Sequence, residues 1–181
     1  MKSLVKLTSL LLVGAAVVFT SLARAEEKPV KNWNPPAHKI YAQQLSEQIM
    51  AAHPELLSIT FHAVPPGQHD TYTMFAGSYV DRIGNPDDPD DIMVSKLGIT
   101  IVDPRWHRLK DPAKKFVMMM PLRDVTGETI GLLVAAYRNP DFHSNGSNSK
   151  LEADYFAKGT QLRDELQTQI PSLEALFAPA K

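Results

Sequence analysis

The chain has 181 residues, 44% of them apolar and 22% charged, with a formal net charge of −1 and no cysteine. That length suits one domain with a real core, and the apolar share excludes a disordered chain. The near-neutral balance lacks the basic footprint of a nucleic-acid binder. Without thiols there is no disulfide framework, thiolate nucleophile, cysteine-held zinc or iron–sulfur site, or attached c-type haem.

Residues 1–25 read as a signal peptide. Lys2 and Lys6 precede the mostly apolar run Leu7 to Leu22, and Ala23-Arg24-Ala25 supplies the small-x-small pattern before the polar Glu26-Glu27. Such a run is shorter than the ~20 residues a membrane span needs, so cleavage after Ala25 is expected rather than retention as an anchor. The expected product is periplasmic or secreted, is not inserted in a membrane after cleavage, and carries no cysteine for lipidation. Losing Lys2, Lys6 and Arg24 but no acid leaves it more negative, which favours solubility.

Residues 26–36 are polar and proline-bearing and read as a flexible leader; a single domain is expected over 37–178. Asn34 is a candidate cap with Pro35 at the first helical position. Tyr41, Leu45, Ile49 and Ala52 then form one apolar stripe, which Pro54 closes near His53. Leu57 to Val64 and Asp70 to Ser78 carry strand composition, with Pro65-Pro66-Gly67 between them. Asp88, Pro89 and Asp91 have the chemistry of a helix start, and Gly98 that of its end. Ile99 to Val102 is a short candidate strand. Lys115 to Leu122 and Glu128 to Tyr137 are the clearest strands, and the loop joining them ends in Gly127. After a polar linker over 139–149, the spacing of Leu151, Tyr155, Gly159, Leu162, Leu166 and Ile170 predicts a second amphipathic helix, stopped by Pro171. Antiparallel hairpins with segregated helices make an α+β domain rather than a doubly wound parallel sheet.

Met120-Pro121-Leu122-Arg123-Asp124-Val125-Thr126-Gly127-Glu128-Thr129-Ile130-Gly131 resembles the hairpin of PAS-like and Cache-type sensor domains. Phe75-Ala76-Gly77-Ser78 through Arg82-Ile83-Gly84 to Asp90-Asp91 is similar to the middle of small exported proteins of that kind, as are Arg163-Asp164-Glu165-Leu166 and Ile170-Pro171 near the end. The resemblance runs from about Ala37 to Phe177. It implies a curved antiparallel sheet of about five strands, with a long N-terminal helix against one face and a C-terminal helix. The other face would carry loops and a short helix around a small-molecule pocket. This chain departs from the extracellular Cache sensors in lacking two flanking spans and an output domain, so the resemblance implies action through a membrane or periplasmic signalling partner.

Candidate chemistry is sparse. Asp87, Asp88, Asp90 and Asp91 fail the EF-hand pattern, because Pro89 takes the third loop position and Ile92 that of the turn glycine. Helix capping accounts for the cluster, with the alternative that Asp91 turns into the pocket to hold a cationic group. Met118 and Met120 share a strand face and read as core, against a copper reading with Met74. No histidines stand at ligand spacing on one helix, so no metal site is expected. His53 and His69 are expected to be solvated. His62, on the strand face of Thr60 and Val64, is placed to reach a pocket.

There is no Gly-x-Ser-x-Gly elbow, phosphate loop or dinucleotide fingerprint, and Ser147-Asn148-Ser149-Lys150 lacks its partner motifs. No catalytic residue and no cofactor are expected. Tyr72, Tyr79 and Tyr137 would wall a pocket for a small organic ligand, and Arg82 or Asp91 would fix a charged end. The alternatives are a small enzyme using His62 and an aspartate as acid and base, or an interaction protein whose pocket is filled by its own side chains.

Overall fold

A computed structural model describes residues 29–106, 115–139 and 149–181. The expected signal peptide, residues 1–25, and most of the expected linker lie outside the described residues. The architecture is α+β. One five-stranded antiparallel sheet has the order β2-β1-β5-β4-β3, built from β1 (Leu56–Ala63), β2 (Thr73–Gly77), β3 (Ile101–Trp106), β4 (Lys115–Arg123) and β5 (Thr129–Arg138). Helices α1 (Tyr41–Ala52), α2 (Pro89–Leu97), α3 (Ser149–Gln167) and α4 (Leu173–Phe177) cover it. None of them is long and apolar enough to cross a membrane.

Strand parity sorts the side chains onto two faces. Ile59, Phe61, Phe116, Met118, Met120, Leu133, Ala135 and Tyr137 enter the large core shared with α1, α3 and α4. Val117, Met119, Leu132 and Ala136 point the other way and pack with Val94 of α2. Met118 and Met120 are fully buried, as the core reading expected. At Gly159, α3 comes so close to β4 that a β-carbon there would collide with the Met118 sulfur. β2 carries one extra residue between the pairs Phe61–Ala76 and His62–Met74, which puts a bulge beside His62.

Several elements start away from where local sequence placed them; β2, for one, begins at Thr73 rather than Asp70. The first helix begins at Tyr41 rather than Pro35, since Pro36 bars Pro35 from helical geometry. Its start is set by the far end of the chain instead: Ile40 bridges Pro179, and the Tyr41 N–H donates to the Ala178 carbonyl at 2.8 Å. Strand β3 is displaced from 99–102 to Ile101–Trp106, because pairing with β4 continues to Trp106–Lys115 across an irregularity. Helix α4 went unforeseen, although Ser172 caps it by accepting from the Ala175 N–H at 3.3 Å. In the expected leader, the Asn32 N–H donates to the Gly84 carbonyl at 2.9 Å and Trp33 packs edge-on to Phe177. Gly84, at φ +90°, leaves room for that strap, as a β-carbon there would strike the Trp33 carbonyl.

Candidate functional site: a cavity under the second helix

On the α2 side of the sheet lies a cavity of about 380 Å³. Alternate residues of β1 supply its polar floor: Ser58, Thr60 and His62 share the face opposite Ile59 and Phe61. Val117, Met119, Val134 and Ala136 supply the apolar part from β4 and β5, and Lys115 stands at the start of β4. The remaining wall comes from the turn and helix that follow β2, with Tyr79, Arg82, Asn85, Asp88, Asp90 and Asp91.

The segment after Gly84 is laid along the start of β2. Asn85 accepts from the Met74 N–H at 3.2 Å and from the Thr73 hydroxyl at 2.8 Å, Thr73 bridges Pro86, and the Asp87 N–H donates to the Tyr72 carbonyl at 3.1 Å. This pairing carries Asp87 to His62. Asp87 Oδ1 lies 2.7 Å from His62 Nδ1, and the Asp87 side chain is 0% exposed. The other imidazole nitrogen, Nε2, sits 2.8 Å from the Thr60 hydroxyl. The ring is therefore held at both nitrogens, by a neighbour two residues away and by a carboxylate from another element. Asp87 Oδ2 is buried with no hydrogen-bond partner.

Immediately beyond, Asp88 and Asp91 form a capping box at the start of α2, in which the Asp88 N–H donates to Asp91 Oδ2 at 3.2 Å. Pro89 occupies the first turn and Gly98, at φ +63°, ends the helix. Burial pushes the Asp91 carboxyl up to about 6; the nearby His62 pulls it down, and Asp87 and Asp90 add to the rise. Capping and pocket are not alternatives for this side chain: Asp91 both caps α2 and lines the cavity.

Of the six residues expected to bind a ligand, the cavity brings together His62, Tyr79, Arg82 and Asp91. The Arg82 guanidinium lies over the Tyr79 ring, 5.5 Å from its centroid. Tyr72 does not line the cavity; its ring carries the Lys96 ammonium at 5.2 Å. Tyr137 stands on the opposite face, a correction to the expected pocket wall. It is 2% exposed and stacks on Tyr155 at 4.6 Å, within the core under α3. Burial raises the ionisation of its phenol far above the ordinary range. Sequence reasoning had assigned Asp87 to capping alone and had not singled out Lys115 or Asn85. The alternating polar residues Ser58, Thr60 and His62 in an otherwise apolar strand were the available signal for the floor.

No protein-family model matches the chain, and no curated protein matches it either. Among solved structures it is similar to the sensor domain of E. coli DcuS, at 19% identity and a TM-score of 0.38 over 53% of this chain. The match spans 65% of that domain's length. It is also similar to the type II free methionine-R-sulfoxide reductase of Thermoplasma acidophilum, at 13% identity and a TM-score of 0.43, covering 72% of this chain and 92% of that one. Both likenesses are loose, and neither carries an activity or a ligand across to this chain.

Proposed function

We propose that this chain is an exported, sensor-like module that binds a small polar organic molecule in the cavity under α2 and acts through a partner protein. The observation that carries the reading is the cavity itself. Its volume falls within the ~300–1,000 Å³ range of small-molecule sites. Its lining combines an apolar patch with charged groups of both signs, Arg82 and Lys115 against Asp81, Asp88, Asp90 and Asp91. The excess of acids favours a ligand with an ammonium or other cationic group, and Arg82 suits a carboxylate at the ligand's other end. The signal-peptide pattern supports an exported location. A partner enters because the cavity's main cover, among the described residues, is the nine-residue α-helix α2, whose position a ligand can bias and a second protein can read.

The test is a thermal-shift screen of EDTA-treated mature protein against amino acids, amines, short carboxylates and purines. A ligand at a hundredfold its dissociation constant adds about 2.7 kcal/mol, which for a domain of this size raises the melting point by about 5–10 °C. Arg82→Ala should abolish or sharply reduce the response to any hit carrying a carboxylate. No shift from any organic compound, or hits indifferent to Arg82→Ala and Asp91→Asn, would remove the proposal.

A second reading is favoured by the Asp87–His62–Thr60 chain. A buried carboxylate on one nitrogen and a hydroxyl on the other is the arrangement that makes an imidazole a general base. Turnover of any cavity ligand, lost in His62→Gln while that ligand still binds, would establish an enzyme; unchanged ligand after prolonged incubation would leave the binding module.

A further inference from the structure

We propose that His62, Asp87 and Asp91 form a site for one divalent transition-type metal ion at the edge of the cavity, where His62 and Asp91 line the wall and Asp87 lies buried behind His62. One donor atom from each of the three side chains lies within 4.8 Å of the others. Donors bound at ~2.0–2.2 Å to a common ion lie at most about 4.4 Å apart, so small side-chain adjustments close the shell.

A second, independent observation points to the same place. The Asp87 side chain is wholly removed from solvent, yet its Oδ2 has no hydrogen-bond partner. A buried carboxylate oxygen left bare is costly, and a cation is the partner that such an oxygen accepts best. The supports are also in place. Thr60 holds His62 Nε2 at 2.8 Å, which orients the ring and leaves Nδ1 facing Asp87, the role an outer partner plays for a metal-bound histidine. Asp87 is fixed through its backbone by Tyr72, and Asp91 by the Asp88 N–H.

The donor set names the metal class. One imidazole with two carboxylates and no thiolate suits zinc, manganese, iron(II), cobalt or nickel, and disfavours monovalent copper; an imidazole ligand also disfavours calcium. On binding, the ion replaces any proton held between His62 Nδ1 and Asp87 Oδ1, and that proton leaves to solvent. Three protein donors leave coordination positions open, so a cavity ligand can reach the ion. The neighbouring group Asp88, Asp90 and Asp91 carries no such claim, because helix capping accounts for it: Asp88 and Asp91 form the capping box and Asp90 lies in the first turn.

The experiment titrates EDTA-stripped, dialysed mature protein with cobalt(II), zinc, manganese and calcium as the metals alone. Binding is followed by calorimetry, and cobalt also by its visible absorption. One cobalt per chain, with imidazole-type absorption displaced by zinc, is expected. Asp91→Asn and His62→Gln should each weaken zinc by at least about 100-fold, and the outer-partner change Thr60→Val by about 10–100-fold. Asp90→Asn should leave affinity within about threefold. Circular dichroism of each variant guards against loss of fold, and Asp91→Asn, on a half-buried helix turn, keeps the test valid should His62→Gln unfold. The proposal is overturned if none of the transition metals binds one-to-one below about 100 µM, if calcium binds best, or if Asp90→Asn weakens zinc as much as Asp91→Asn. Because the metals are offered without any organic compound, this outcome is separate from that of the ligand screen.

Discussion

Replacing Gly131 by alanine tests whether the polar floor is held by a forced approach of β5 to β1. A β-carbon at Gly131 would overlap the His62 carbonyl oxygen, while standing 3.0 Å from Ala63 Cβ and 3.3 Å from the His62 carbonyl carbon. None of these atoms can swing aside. His62 is paired with β2 on one side and β5 on the other, and Ala63 is 1% exposed. The strands must therefore part locally. Overpacking of this kind costs about 1–3 kcal/mol, and one or two lost ladder hydrogen bonds add about 1 kcal/mol each. The stiffer unfolded chain returns about 0.4–1 kcal/mol. The net expectation is a loss of about 2–4 kcal/mol, which for a domain of this size lowers the melting point by about 5–15 °C. Gly67→Ala is the control: its φ of +81° strains an alanine, but nothing lies within 4 Å of the added carbon, so about 1 kcal/mol is expected. Urea and thermal unfolding followed by circular dichroism measure both. If Gly131→Ala costs no more than Gly67→Ala, the approach is not forced and the reasoning fails.

Tyr137→Ala should destabilise the protein by about 3–5 kcal/mol, as for a buried aromatic, yet leave the dissociation constant of any cavity ligand unchanged; a weakened ligand in calorimetry would put Tyr137 back in the site. Asp88→Ala should cost about 1 kcal/mol in unfolding experiments through the lost cap, while zinc affinity at His62, Asp87 and Asp91 persists. Asp124 accepts from the Thr126 hydroxyl at 2.6 Å and from the Thr126 and Glu128 amides, which holds its carboxyl below the ordinary value of 3.8. The stability that comes with a depressed folded value is present above 3.8 and is lost below it, as pH falls through the lower folded value. The stability advantage of wild type over Thr126→Val should accordingly be full at pH 6 and shrink in acid; an advantage that grows in acid would contradict the hydrogen-bond account.

The parts of the fold legible in the sequence are those whose cause is local. Asp88, Pro89, Asp91 and Gly98 bound α2 by cap chemistry that acts within one turn, and both of its ends fall where that chemistry puts them. The β4–β5 hairpin is equally local: Gly127 takes φ +90° and the Asp124 side chain ties the turn together. The start of α1 is not local, because it is fixed by Pro179 and Ala178 at the other end of the chain. Strand β3 contains Pro104, which reads as a breaker, but a proline is tolerated on an edge strand where one side of the backbone needs no partner.

The site divides along the same line. His62 was legible because polar residues alternate through β1, so one face of that strand had to meet something polar. Tyr137 was not, for a physical reason: β5 is apolar on both faces, with Leu132, Val134 and Ala136 on one and Leu133, Ala135 and Tyr137 on the other. Parity groups those residues but cannot say which group faces the cavity, since helices cover both sides of a central strand. Asp87 shows the complementary difficulty. In the sequence it is one of four acids at a helix start, and capping is enough to explain it. Only the pairing of Asn85 to Asp87 with the start of β2 separates it from its neighbours and buries its carboxylate against His62. A charge that capping would leave in water is instead sealed behind His62, with one oxygen bonded and one bare. That placement makes the acid expensive for stability, and it is the reason to look for the cation that offsets it.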